Sequence, residues 1–486
     1  MKTLIKSSIT SLILIFLLTT LPSSQVAAQE PPGEWVSGIA CQNLSSTNEA
    51  SITLSFYPEG VADPVLTYED PTPIPANGSR NYYTPSTPPG LPEDFIGSAI
   101  VSANQPLTCN VNTQTTGTGT ISDPYRLGTS SGIREVDTYT SAYVPQVEKN
   151  FAGGWSSYIA IQNAGTNSVE VNINYKDRYG SNIPSATETI TIPARTNYIS
   201  YQTANSNLPD DFLGSATITG DGATPLAIVT NFYNNASDYS TAQMHSYNGF
   251  GSGANKIFIP RFVRNFYGYN GGLAIQNVGG EAVTVTINFY YSGSTYTYTS
   301  GSIGAGASLF LYAPDIAELL PVDSLNESQR YGSADITASG SGTIIAIVNE
   351  DNRGGDGIPI ERHGQGSTYN GVLDGTQTTT VFFSQVPRKA GDVWSGGFVV
   401  SNTTDSSGTC DITYAGVPAA DETDVPLDAN GSISRFAPNV SGLPDGFNSS
   451  VSVTCTQPVI GIANQAVETG TGRYGDSYAQ SNGLNQ

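Results

Sequence analysis

The chain of 486 residues is poor in the side chains that build catalytic and nucleic-acid sites. It has two histidines, His245 and His363, and 19 lysines and arginines against 41 acidic residues. Two isolated histidines do not make a metal site of the spaced-ligand kind. A formal charge of −22 argues against a nucleic-acid partner, because phosphate binding needs a basic face. The four cysteines, Cys41, Cys109, Cys410 and Cys455, include no CxxC pair, so a zinc ribbon is not indicated. No P-loop and no dinucleotide fingerprint sits between a strand and a helix. One GxSxG string, Gly128–Gly132, lies in a Ser/Thr/Gly-rich connector and not at the strand-to-helix turn that a nucleophile elbow requires; it is read as chance. These lacks point away from an enzyme.

Long apolar runs are also scarce. The single one lies at the start, in MKTLIKSSITSLILIFLLTTLPSSQVAAQE. Lys2 and Lys6, a short apolar stretch and the small residues Val26-Ala27-Ala28 have the layout of a secretory signal peptide cleaved after Ala28. Removing residues 1–28 takes away two lysines and no acids, so the formal charge moves from −22 to −24. The mature chain is expected to be secreted, extracellular or at the cell surface, with no membrane span and a self-repelling acidic surface. Only 12% of the residues are charged; Ser, Thr, Asn, Gly and Tyr make the polar surface, a composition that favours strands and turns.

What the chain has in abundance is self-similarity, the feature to seek first. LPEDFIGSAIVS at Leu91, LPDDFLGSATIT at Leu208 and LPDGFNSSVSVT at Leu443 share one pattern, with a divergent copy from Leu319. Gly97, Gly214, Gly332 and Ser449 mark the same point at steps of 117, 118 and 117 residues. Each copy also has an early alternating run: WVSGIACQN, WSSYIAIQN, GGLAIQN and WSGGFVVSN. A second alternating run follows, then an Ile-Pro-Ala-type turn (Ile74, Ile192, Ile303, Leu427), the GSA run and a final apolar run such as PLAIVTN. Period-two alternation broken by Gly, Pro and Asn is the signature of half-buried antiparallel strands. Six or seven such runs per copy suit a two-sheet sandwich of immunoglobulin-like size. The expectation is an all-β chain of four tandem immunoglobulin-like antiparallel sandwiches, at 29–135, 136–250, 251–372 and 373–486, joined by long polar connectors. Trp35, Trp155 and Trp394 occupy one position in their copies; a core-end aromatic explains them, and sugar stacking is the sharper alternative. The Asp210–Asp211 pair of LPDDFLGSA is expected on the solvated face of a turn.

Copies two to four begin with an extra run, YVPQVEKN, IFIPRFVRN or VFFSQVPRK, which the first copy lacks. The first copy thereby exposes a sheet edge that can accept a strand from another chain; head-to-tail assembly through a C-terminal segment is one route. The two middle copies have no cysteine, and within-copy pairing, Cys41–Cys109 and Cys410–Cys455, is the simplest assignment in an oxidising compartment. No protein cofactor is indicated; calcium is the most plausible ion. Glu350, Asp351 and Asp356 are its candidate ligands, with a second acidic group at Asp421, Glu422, Asp424 and Asp428; a solvated acidic loop accounts for the same residues. Asn43, Asn77, Asn235, Asn326, Asn402, Asn430, Asn439 and Asn448 lie in glycosylation sequons. Lysine is too scarce for a Lys–Asn isopeptide crosslink in every copy.

With these segments, the chain resembles tandem immunoglobulin-like repeat proteins of microbial cell surfaces. The resemblance implies a non-enzymatic structural or adhesive role, as adhesin, stalk, surface-layer component or self-assembling filament subunit. Its implied partners are itself, other surface proteins or surface glycans, with an extracellular glycan-binding protein as the alternative reading. It is a likeness of fold, which by itself does not carry function.

Overall fold

The computed structural model of the chain describes residues 33–391 and 393–486; the signal-peptide reading of residues 1–28 lies outside them. The described chain is built from antiparallel strands linked by turns and short 3-10 segments. Among the described residues no helix is long and apolar enough to cross a membrane.

The second repeat shows the plan. An opening strand, Ser141–Lys149, leads to a tryptophan strand, Trp155–Asn163, and then to Val169–Asp177, Glu188–Ile192, Asn197–Tyr201, Phe212–Thr219, Leu226–Asn234 and Met244–Asn248. These form two four-stranded sheets. The opening sheet has the order Glu188–Ile192, Val169–Asp177, Phe212–Thr219, Ser141–Lys149; the other has the order Asn197–Tyr201, Trp155–Asn163, Leu226–Asn234, Met244–Asn248. Alternation sends every second side chain inward. Val144, Ile173 and Ile218 from the first sheet meet Ile159, Ile161 and Ile228 from the second in one core, all fully buried.

The other repeats vary this plan. The third adds a short strand, Val372–Leu373, beside its opening strand Lys256–Val263. In the fourth, one 21-residue strand, Phe447–Val467, runs through both sheets and joins them. The first repeat has only three strands where the others have an opening sheet: Leu66–Glu69, Ile52–Pro58 and Gly97–Ala103. The disulfides join Cys41 to Cys109 and Cys410 to Cys455, in each case across directly paired positions of neighbouring strands.

Two local devices explain why particular letters recur. The asparagine that ends each tryptophan strand is buried: Asn43, Asn163, Asn277 and Asn402. The Nδ2 of Asn163 donates to the carbonyls of Asn167, Ile192 and Pro193, while its Oδ1 accepts from Gly165 N. Asn43 and Asn277 repeat this pattern in full, and Asn402 repeats most of it. The side chain thus satisfies carbonyls that the turns leave unpaired. It also removes two sequons from consideration, since the amides of Asn43 and Asn402 are buried donors and cannot carry a sugar in the folded chain. The glycine of GSA has a steric reason. A Cβ at Gly214 would lie 2.1 Å from the carbonyl oxygen of Lys176, and one at Gly97 2.0 Å from that of Tyr57.

The LPDDFLGSA turn is more than a solvated face. Asp211 has a left-handed backbone, φ 59°, as does Gly446 at φ 84°, the equivalent position of the fourth repeat. Its carboxylate accepts from Ala152 N. Asp210 is exposed but accepts from Asn150 Nδ2 and stands 3.8 Å from Lys149 Nζ. The turn is therefore clamped to the end of the opening strand.

The four repeats close on one another. Asn197 of repeat two donates to Tyr57 O and Ser98 Oγ of repeat one. Gln276 of repeat three donates to Ser215 Oγ of repeat two, and Ser308 to Pro145 O. Ser401 of repeat four donates to Pro260 O of repeat three, and Val399 and Ile462 enter the third core. The last junction returns to the start: Ser450 Oγ donates to Asn77 O, Ser79 and Ser449 hydroxyls meet, and Asn112 donates to Gln385 Oε1. At each junction one repeat lays its tryptophan-strand sheet on the opening sheet of the repeat before it. The faces through which repeats stack are each taken by a neighbouring repeat of the same chain. The C-terminal segment is not a free donor either: Tyr478–Asn482 pairs with Phe447–Val467, and Leu484–Asn485 with Thr378–Arg388. It completes its own repeat.

Candidate functional site

The polar connectors that end in SYNG, TYNG and SYAQSNG form strands. Leu127–Ser131, Met244–Asn248, Gly366–Asn370 and Tyr478–Asn482 each pair with the last core strand of their own repeat. They then meet at the centre of the ring and bring together the residues with the most chemistry in the chain.

At one end, asparagines ladder from strand to strand. Asn482 Oδ1 accepts from Asn370 N and its Nδ2 donates to Asn370 O; Asn370 does the same to Asn248. Asn248 Nδ2 donates to Ser131 O. The first repeat has serine at this position, and the circuit closes through Asn110 Nδ2 to Ser481 Oγ at 2.9 Å.

In the middle lies an ion pair. Arg261 Nε and Nη2 donate to the two oxygens of Glu350 at 3.0 and 2.9 Å. Glu350 also accepts from Tyr478 OH and Gln480 Nε2, both at 3.0 Å. Burial pulls the Arg261 guanidinium down, but the Glu350 carboxylate outweighs it and holds the group charged above its ordinary value. The Tyr369 hydroxyl donates to Arg261 O, and the Tyr247 hydroxyl likewise to Gln146 O.

His245 is stacked on Phe232 and edge-on to Trp155. Its Nδ1 is 2.9 Å from Thr368 Oγ1, whose own hydroxyl donates to Asn349 Oδ1 at 2.7 Å. The network therefore places the proton on Nδ1, and Nε2 has no hydrogen-bond partner. Burial drops this imidazole to about 3, so it stays neutral. The threonine proton points away from the ring, an arrangement opposite to a base activating a nucleophile.

At the far end Asp476 is buried. It accepts from Gly366 N and Met244 N at 2.9 and 3.0 Å. Burial raises its carboxyl well above the usual range, against the pull of those amides and Arg126. Tyr239 stacks on His363 and meets Tyr474 edge-on. Tyr125 pairs in parallel with Gly475, joining first and last connectors. The crevice between repeats one and four, lined by Asn110, Gln385, Gln480 and Ser481, is water-sized.

The sequence-derived candidates separate here. The structure does not bring Glu350, Asp351 and Asp356 together: Glu350 is held by Arg261, Asp351 by Arg353 and Tyr312, and Asp356 is exposed. Glu422 pairs with Arg435. No group of three His, Cys, Asp or Glu is assembled among the described residues. Trp35, Trp155 and Trp394 each start a strand and are half-buried; Trp155 packs on the second core, and the equivalent Tyr269 packs with Val263 and Tyr478. Gly128–Gly132 belongs mostly to the first axial strand and is followed by no regular helix. Sequence reasoning missed this central cluster, although the Asn-Gly that ends the last three connectors was its signal.

No family model matches the chain, and no curated protein matches it. Among solved structures, Thermotoga maritima 1070 aligns at 19% identity over 25% of this chain and 96% of its own, with a TM-score of 0.20. The Anabaena sensory rhodopsin transducer aligns at 17% identity over 19% of this chain and 93% of its own, TM-score 0.15. A serine-rich repeat adhesion glycoprotein of Streptococcus agalactiae aligns at 8% identity over 79% of this chain and 89% of its own, TM-score 0.10. Likenesses at these TM-scores bear on neither fold nor function. What the site itself supplies is a largely buried, densely hydrogen-bonded polar network joining four repeats.

Proposed function

We propose that the chain is a secreted, non-enzymatic structural or adhesive protein of the cell surface. In this reading four immunoglobulin-like sandwich domains, with boundaries near residues 135, 250 and 372, form one rigid ring-shaped platform. The observation that supports it is the use made of the polar groups: Glu350, His245 and Asp476 are buried and bonded across repeats, Arg261 anchors Glu350 within repeat three, and the half-buried asparagine ladder runs from repeat to repeat. Such a network favours one specific arrangement, because pulling the repeats apart or shifting their register would leave Glu350, Asp476 and His245 without the partners they now share. Closure also makes a filament grown through the repeat junctions unfavourable, so assembly, where it occurs, uses other surfaces.

The test is immunogold labelling of intact source cells, together with negative-stain microscopy of the purified chain. Label on the outer surface and compact single particles are the expected outcome. Label confined to the cell interior would remove the surface role, and fibres whose repeat equals one domain would remove ring closure. Hydrolysis of a generic ester or peptide substrate, abolished by one substitution, would overturn the non-enzymatic reading. A glycan array with specific, saturable signal would replace the structural role by the carbohydrate-binding one.

A further inference from the structure

The opening strands of repeats two, three and four share a pattern visible only once their burial is known. Ala142, Val144 and Val147 are buried in the second core; Ile257, Ile259 and Phe262 in the third; Val381, Phe383 and Val386 in the fourth. Each set has apolar residues at i, i+2 and i+5, with a register shift on the strand. At i+7 stands a cation: Lys149, Arg264 and Arg388. Each reaches an acid at the far end of the sheet, Asp210, Asp323 and Asp445 respectively.

The first repeat has the receiving half of this arrangement without the strand. Gly97–Ala103 pairs only with Ile52–Pro58, so among the described residues nothing is bonded to its outer edge. Ala99 and Val101 are half-exposed. Their counterparts Ala216, Ile218, Ala334, Ile336, Val451 and Val453 are all buried. Leu107 and Val111 on the facing sheet are also half-exposed. Glu93 and Asp94, at the positions of Asp210 and Asp211, are exposed and make no ion pair among the described residues.

We propose that this slot in the first repeat is a docking site for an extended strand of another polypeptide, with apolar residues at i, i+2 and i+5 and a lysine or arginine at i+7. The three filled slots define the occupant: it adds antiparallel to Gly97–Ala103, covers Ala99, Val101 and Val111, and places its cation at Glu93. Unpaired strand edges are natural acceptors of this kind. The chain's own upstream residues fit poorly. Trp155 follows Trp35 by 120 positions, and the same offset puts Pro22, Ser24, Ala27 and Gln29 at the four defining positions.

The experiment uses fluorescently labelled peptides of residues 141–150 and 256–265 as probes, added to the full chain and to the chain beginning at Gln29. Anisotropy and hydrogen–deuterium exchange are the readouts. Saturable one-to-one binding is expected, with exchange of the 97–103 amides slowed at least tenfold. Binding should be lost with peptide Val144→Asp, a control that leaves the protein untouched, and weakened several-fold by Glu93→Lys with Asp94→Lys. A chain with residues 139–154 copied ahead of Trp35 should melt higher and no longer bind the probe. The proposal is overturned if neither peptide protects the 97–103 amides in the chain beginning at Gln29. It is also overturned if the full chain already protects them without peptide, since the occupant would then be its own first residues.

Discussion

Glu148 offers a stringent test of how the polar interior is balanced. It lies near the end of the second opening strand, 4% exposed. Its Oε1 accepts from Gln146 Nε2 at 2.8 Å, and its Oε2 has no hydrogen-bond partner. Gln146 in turn accepts from Asn349 across the junction with repeat three. Burial pushes the Glu148 carboxyl up to about 7 from an ordinary 4.5, against the opposing effect of Gln146. The folded chain therefore keeps a proton that the unfolded chain gives up between those values. The linkage sign follows: stability falls as pH rises through this window, and the cost is absent below it. At about 1.36 kcal/mol per pH unit, the charge costs about 3 kcal/mol at pH 8 and under about 1 kcal/mol at pH 5. Glu148→Gln keeps the shape and the acceptor for Gln146 and removes the titration. The variant should exceed the wild type by about 3 kcal/mol at pH 8, with most of the gain gone at pH 5. Urea unfolding at both pH values, followed by tryptophan fluorescence at unchanged m-value, measures the difference. An equal gain at the two pH values, or a loss at pH 8, would refute the reasoning.

His245 has the opposite sign. Its imidazole is about 3 in the fold against 6.5 unfolded, so its contribution is intact above 6.5 and is lost as pH falls toward 3. The penalty of His245→Gln should therefore be about 3 kcal/mol smaller at pH 4 than at pH 7, measured by the same unfolding curves. Asn163→Ala leaves the buried carbonyl of Ile192 and the part-buried carbonyls of Asn167 and Pro193 without their donor and should cost about 1–3 kcal/mol; calorimetry should show a lower Tm, and Asn163→Asp should not restore it. Replacing Cys41 and Cys109 by serine opens a closure spanning 68 positions, which should cost about 4 kcal/mol. Melting the wild-type and double-serine chains side by side without reductant gives the value, and reductant should still lower the Tm of the double-serine chain through the remaining Cys410–Cys455 bridge.

Much of this was written in the local pattern of residues. Runs such as VEVNINY and LAIVTN alternate with period two, and that alone marks strands with one buried face. The 117-residue step of GSA fixes the unit of repetition, and the missing opening run in the first copy already announces the unpaired edge. The glycine of GSA and the asparagine of IQN recur because each meets a requirement inside its own repeat: close approach to a neighbouring carbonyl for one, bonding of turn carbonyls for the other. Requirements of that kind leave the same letter at the same place in each copy.

The ring was not written there. Its junctions depend on pairs such as Ser450 with Asn77, 373 positions apart, and on polar residues common throughout an Asn/Ser/Thr-rich chain. No period connects them. Acidic spacing made Glu350 a calcium candidate, whereas folding brings Arg261, Tyr478 and Gln480 onto its two oxygens. His245 stands in a connector by sequence and in a dry aromatic enclosure in the fold. Sequence settled which face of each strand is apolar, because that is a property of neighbours along the chain. Which charges are paired and which polar side chains are buried were decided by distant segments meeting, because burial and hydrogen bonding depend on position in space.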